Sequence, residues 1–296
     1  MKGAIGGVII SPYIPFDAKG QVQNDALGEH IDFLIAAGVN ALYCLGTVGE
    51  FPSMSTDQRK RVAEMMVDNA AKRVPVVIHV GTNILGETIE LARHSQKIGA
   101  DAVYCVPPYY FRIDDKAIVN WFNKIAGSIT IPLHYYNIPS MTKLEASPEL
   151  MAELGRIPNI TAEKDSTDNI AQIHRIIELA DLDVFIGKES LYLPGLVAGA
   201  AGLVSGRVGP AFPELVVEFY DAFRRRDLEK AKELQRRINA LSRVIAGASS
   251  MILPAVKATI RLRGLMMGPD LLTPLRPLTK DEIGNLKERL EKMGAI

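Results

Sequence analysis

Cysteine is scarce. The 296-residue chain has two, Cys44 and Cys105, each inside an apolar, β-favouring run. Two such thiols do not make a disulfide framework, and buried free thiols in a reducing, cytoplasmic setting are expected. Net charge is missing as well. Lys plus Arg and Asp plus Glu stand at 34 each, so nothing favours long-range attraction to nucleic acid or to an anionic membrane. No segment has the ~18 unbroken apolar residues of a membrane helix. Met1 to Pro12 lacks the long apolar stretch and small-residue cleavage site of a secretory leader. The five histidines (His30, His79, His94, His134 and His174) show neither H-x-H nor H-E-x-x-H spacing, so no metal site is expected.

What remains is an ordinary globular composition, 48% apolar and 23% charged, with ample material for a large core. Its arrangement is regular. Eight short apolar runs, near Gly6–Ile10, Ala41–Leu45, Val74–Val80, Ala102–Val106, Ile131–Tyr136, Ile160–Lys164, Val184–Ile186 and Gly202–Val204, alternate with longer amphipathic stretches. Ser55 with Gln58 reads as a capping box, and Ser147 before Pro148 as an N-cap with proline at the first helical position. Strands buried on both faces and alternating with helices predict an α/β fold, a (β/α)8 TIM barrel. An open doubly wound sheet is the alternative. After about Pro213 the pattern changes to successive helices. The expected organisation is a barrel over 1–225, with a C-terminal helical extension over 226–296.

In such a barrel the chemistry belongs at the C-terminal ends of the strands. One strand ends on Lys164. Alternation puts Lys164 and Ala162 on one face and Glu163 on the other. A lysine inside a barrel is expensive to keep charged, and a desolvated amine is a good nucleophile towards a ketone. Another strand ends on Tyr136, whose phenol can relay a proton near an amine. The turn Gly46-Thr47-Val48-Gly49-Glu50 offers exposed backbone N–H groups to a carboxylate. Gly187-Lys188-Glu189 and Gly202–Gly206 end two later strands, where glycine lets backbone approach a ligand. The glycines there lack G-x-G-x-x-G spacing, which discounts a dinucleotide loop.

Gly46-Thr-Val-Gly-Glu50, Pro108-Tyr-Tyr110, Tyr136-Asn-Ile-Pro139, Lys164-Asp-Ser166 and Gly187 together resemble the dihydrodipicolinate synthase / N-acetylneuraminate lyase family, from about Gly6 to Leu278. The resemblance implies catalytic roles for Lys164, Tyr136, Thr47 and Tyr110. Lys164 would form a Schiff base with pyruvate, and Tyr136 would relay protons with Thr47 as its hydroxyl partner. Tyr110 would reach a neighbouring subunit's site, in a homotetramer built as a dimer of dimers. The Val204 carbonyl would face the pyruvate site. Val48, Ser166, Gly187, Lys188, Glu189, Ser205 and Met141 are further candidates for binding substrate. The lysine adduct makes a separate cofactor unnecessary.

The departures bear on substrate. Val48 replaces the family's second hydroxyl in the turn. Ser140-Met141-Thr142 follows Tyr136-Asn-Ile-Pro139, where dihydrodipicolinate synthases carry an arginine for a second carboxylate. Lys188-Glu189 stands where the lyases carry acidic residues for sugar hydroxyls. Glu163 replaces an aliphatic residue and needs a partner. The expected activity is a class I aldolase that cleaves a 2-keto-3-deoxy sugar acid, or an N-acetylneuraminate-like acid, to pyruvate and an aldehyde. Alternatives are 4-hydroxy-tetrahydrodipicolinate synthase, a dehydratase of the same family, or a pyruvate-binding protein without turnover.

Overall fold

The computed structural model describes residues 5–296. Met1 to Ala4, the start of the N-terminal stretch and of the 1–225 unit, lie outside the described residues. The eight apolar runs are eight strands: β1 (Gly7–Ile10), β2 (Ala41–Cys44), β3 (Val76–His79), β4 (Ala102–Cys105), β5 (Leu133–Asn137), β6 (Ile160–Asp165), β7 (Asp183–Ile186) and β8 (Gly202–Ser205). Each pairs in parallel with the next, and β8 pairs back onto β1 through Gly7↔Gly202 to Ile10↔Ser205. The sheet is therefore a closed barrel, and the open-sheet alternative falls away.

Helices cover it in chain order: α1 (Asn24–Ala36), α2 (Thr56–Ala70), α3 (Leu85–Lys97), α4 (Asp115–Ala126), α5 (Pro139–Thr142), α6 (Pro148–Leu154), α7 (Ile170–Leu179), α8 (Tyr192–Val197) and α9 (Pro213–Arg224). The expected starts hold. Ser55 and Gln58 cap α2 reciprocally, and the Ser147 side chain accepts from Leu150 N–H with Pro148 at the first turn of α6. The C-terminal helices are α10 (Leu228–Ala246), α11 (Ile252–Leu262) and α12 (Lys280–Lys292). No helix among the described residues is long and apolar enough to cross a membrane. Cys44 and Cys105 are buried free thiols.

Strand alternation sorts the core into two layers. Val8, Ile10, Ile78, Val103 and Tyr135 pack outward against the helices. Ile9, Tyr43, Val77, Tyr104, Phe185 and Val204 fill the barrel interior. That interior is unusually aromatic. Tyr43 and Tyr104 stack with ring centroids 4.7 Å apart, and Tyr43 Oη lies 2.5 Å from His134 Nδ1. Burial pushes the His134 imidazole down to about 3, so it is neutral and serves as a packing and hydrogen-bonding group.

The extension is bolted to the barrel through Glu50, the last residue of the turn after β2. Its Oε1 lies 2.8 Å from Lys257 Nζ on α11, and its Oε2 accepts from Leu272 N–H at 2.7 Å. Lys257 also donates to the Asp270 carbonyl at 2.7 Å. Both charged side chains are essentially inaccessible. Removing one partner strands the other charge in a dry place. Lys257→Met should therefore lower the free energy of unfolding by about 3–5 kcal/mol, read from urea melts. A loss below about 1 kcal/mol, as for a surface pair, would show that this bolt does not hold.

Candidate active site

The C-terminal ends of the strands open into a cavity of about 400 Å³. Its floor is built from strand ends. Lys164 on β6 points inward, as alternation requires, and is 7% exposed. Its Nζ sits 4.2 Å from the Tyr136 ring centroid, 5.8 Å from that of Tyr104 and 5.9 Å from that of Tyr43. The amine thus ends inside a box of three tyrosine rings.

Register fixes the neighbours. Tyr136 pairs with Lys164 and Lys164 with Phe185. The end of β6 also explains Gly187. A Cβ there would collide with Ser166 Oγ and with the Asp165 carbonyl, so glycine lets the chain pass close behind residues 165 and 166. Thr47 opens a single helical turn, Thr47–Gly49, bracketed by Leu45 (φ 62°) and Glu50 (φ 58°) in left-handed conformation. Positive φ at non-glycine residues is strained backbone, and such strain clusters at functional turns.

Thr47, Val48, Tyr136, Met141, Lys164, Ser166, Gly187, Lys188, Glu189 and Val204 all line this one cavity. No direct hydrogen bond joins the Thr47 and Tyr136 hydroxyls, so the expected pairing would need a bridging atom. Met141 stands at the rim, 62% exposed. Lys188 is ion-paired with Asp168 at 2.7 Å. The Val204 carbonyl already accepts a hydrogen bond from Tyr192 at 3.2 Å.

One expectation changes. Ser205 is fully buried and does not line the cavity. Its Oγ donates to Glu189 at 2.7 Å and accepts from Gly209 N–H at 2.8 Å. Alternation along β8 is the reason, because Val204 takes the inner face. Glu189 reaches the cavity wall, but its Oε1 holds the loop after β8 through Ser205, Arg207 N–H and Val208 N–H. Its first task is to shape that loop. Tyr110 lies outside its own chain's cavity, 84% exposed with φ 86°.

The upper wall was not foreseen. Asn239, Ser242 and Arg243 of α10 and Ile252 of α11 close it, with Arg207 from the loop after β8. Arg207 donates to Ser242 Oγ at 2.9 Å. Positions 239, 242 and 243 share one helix face, which helical periodicity alone can read. That this face lies over the barrel mouth is a matter of packing. Gln235 settles it by clasping the Glu189 carbonyl and the Leu193 N–H at 2.9 Å each.

Glu163 finds its surroundings behind the site. It is fully buried on the outer face of β6, beside Asp165 and Asn137. Burial, then the neighbouring Asp165, pushes its carboxyl well above the usual range. The shift runs towards the neutral acid, the form that needs no counter-charge.

The Dihydrodipicolinate synthetase family model matches residues 4–293. A 4-hydroxy-tetrahydrodipicolinate synthase of Methanothrix thermoacetophila is 35% identical over 98% of this chain and 97% of its own length. An uncharacterized DapA-like lyase of Halobacterium salinarum is 34% identical over 98% and 94%. Among solved structures, YagE, a prophage protein of the dihydrodipicolinic acid synthase family from E. coli in complex with pyruvate, superposes with a TM-score of 0.95. It is 29% identical over 99% of this chain and 100% of that one.

Proposed function

The chain belongs to the dihydrodipicolinate synthetase family, and from that membership we propose that it is a class I aldolase that joins and splits pyruvate and an aldehyde through a Schiff base on Lys164. The observation that carries the proposal is the buried amine 4.2 Å from the Tyr136 ring, at the floor of the cavity. In the cleavage direction Lys164 Nζ attacks the C2 carbonyl of a 2-oxo acid, and the carbinolamine loses water to give an iminium. The C3–C4 bond then breaks. Its electron pair moves towards the iminium nitrogen, and the C4 hydroxyl proton passes to a base. Tyr136, with Thr47 nearby, is the group suited to relay it. The aldehyde leaves, the enamine takes a proton at C3, and water releases pyruvate from the lysine. No cofactor enters these steps.

The aldehyde is proposed to be hydroxylated. Ser140, Ser190, Asn239 and Ser242 give the outer cavity neutral hydrogen-bonding groups. Of the cations on its wall, Lys188 is engaged by Asp168 and Arg207 by Ser242. Glyceraldehyde should therefore condense with pyruvate far faster than aspartate semialdehyde. Arg207 and Arg243 on the wall favour the second reading, a 4-hydroxy-tetrahydrodipicolinate synthase, because an arginine pair can hold a second carboxylate. Side-by-side kcat/KM values decide, and a preference for aspartate semialdehyde would install the second reading.

Assembly follows the same line. Tyr110 and Phe111 project as an exposed aromatic pair, a surface suited to a second copy. A homotetramer in which Tyr110 completes a neighbour's site should lose activity as it dissociates. A fully active monomer in light scattering would end that part of the proposal.

A further inference from the structure

Tyr104 has no part in the steps above, yet it shares the cavity floor. It sits on the inner face of β4 with no exposed surface. Its ring lies between Tyr43 and Tyr136, at centroid distances of 4.7 and 5.7 Å. Tyr104 lines the cavity, and its buried hydroxyl has no hydrogen-bond partner among the described residues. Buried hydroxyls are almost always satisfied, so an orphan facing a cavity is waiting for a ligand atom or a water. The Ser11 hydroxyl shares that state at the same cavity.

Tyr104 differs from Ser11 in its position. A Cβ on Gly46 would collide with the Tyr104 hydroxyl. The phenol oxygen therefore lies directly against the first residue of the Gly46–Glu50 turn, whose next two residues, Thr47 and Val48, line the cavity. In that turn Thr47 is the side-chain donor facing the cavity, because Val48 is aliphatic. Burial, with Tyr136 next to it, holds the phenol far above its ordinary range. It therefore stays neutral and can donate to an anion without repelling it.

We propose that Tyr104 donates a hydrogen bond to the carboxylate of the bound 2-oxo acid, supplying from the barrel interior the side-chain donor that Val48 lacks. This rests on the pyruvate reading of the site. It also explains why position 46 is glycine, since any side chain there would displace the donor.

The test measures the pyruvate concentration that half-saturates borohydride trapping, read by protein mass, in the parent, Tyr104→Phe and Tyr104→Phe/Val48→Thr. Acetone, a ketone without a carboxylate, runs in parallel, and thermal melts confirm that each variant folds. A hydrogen bond to a charged group corresponds to about 10- to 100-fold in affinity. Tyr104→Phe should raise the half-saturating pyruvate by that factor, leave acetone trapping unchanged, and regain affinity when Val48→Thr restores a hydroxyl. A change within twofold for pyruvate overturns the proposal. So does a loss that falls equally on acetone, or one found in Ser11→Ala and absent from Tyr104→Phe. A parent protein that traps no pyruvate at all sinks the underlying reading, and this proposal with it.

Discussion

Lys164→Ala should abolish both turnover and the covalent adduct. With the parent, pyruvate plus borohydride should add one reduced pyruvyl group per chain, and peptide mapping should place it on Lys164. Alanine has no amine, so the route through an iminium is closed and only background reaction remains. Lys164→Arg sharpens the test. It keeps a long nitrogen-bearing side chain inside the ring of Tyr43, Tyr104 and Tyr136, but a guanidinium stays protonated at any working pH and forms no imine. Activity should vanish there too. An adduct on another lysine, or turnover surviving in either variant, would remove the assignment.

Tyr136→Phe should cut kcat by ~10²–10⁴-fold, the usual loss when a proton relay is taken from the transition state. The ring remains, so its tilted contact with Tyr104 and its contact with the Lys164 amine remain. Packing losses should therefore be small, and the effect should fall on kcat more than on folding. Borohydride trapping should still reach Lys164, more slowly, because carbinolamine formation and dehydration both move protons. An unchanged kcat would leave Tyr136 as a wall of the cavity and nothing more.

The barrel was legible because its strands are buried on both faces and read as unbroken apolar runs. All eight appear where the pattern puts them, with ends shifted by a few residues at most. Helix α8 escaped notice for local reasons. It has six residues, carries Pro194 and Gly195 inside, and follows a turn of different helical type. Helix α5 is four residues long and begins in the Tyr-Asn-Ile-Pro motif.

The site was legible to the depth of the strand ends. Lys164, Tyr136 and Thr47 are there because the fold puts strand termini on one rim. Ser205 was misjudged although alternation held the answer, since Val204 and Ser205 cannot both face inward. Tyr104 also lay within reach of alternation, but nothing in a row of apolar residues tells that a hydroxyl will end without a partner. The upper wall lay further off. Asn239, Ser242 and Arg243 meet the cavity only because α10 packs over the barrel mouth, and long-range packing of that kind leaves no local trace.

Glu50 bears on modularity. Catalytic loops on barrels are often treated as exchangeable parts, each grafted onto an inert frame. The turn that carries Thr47 is not such a part. Its last side chain is neutralised by Lys257, more than two hundred positions away in sequence, and is seated on the Leu272 backbone. A transplant of Gly46–Glu50 alone would carry a carboxylate into a host with no cation to receive it. A chain cut after Arg225 would leave the same carboxylate behind and lose Asn239, Ser242, Arg243 and Ile252 from the cavity wall. In any descendant of this protein, the Gly46–Glu50 turn and the C-terminal helices have to change together.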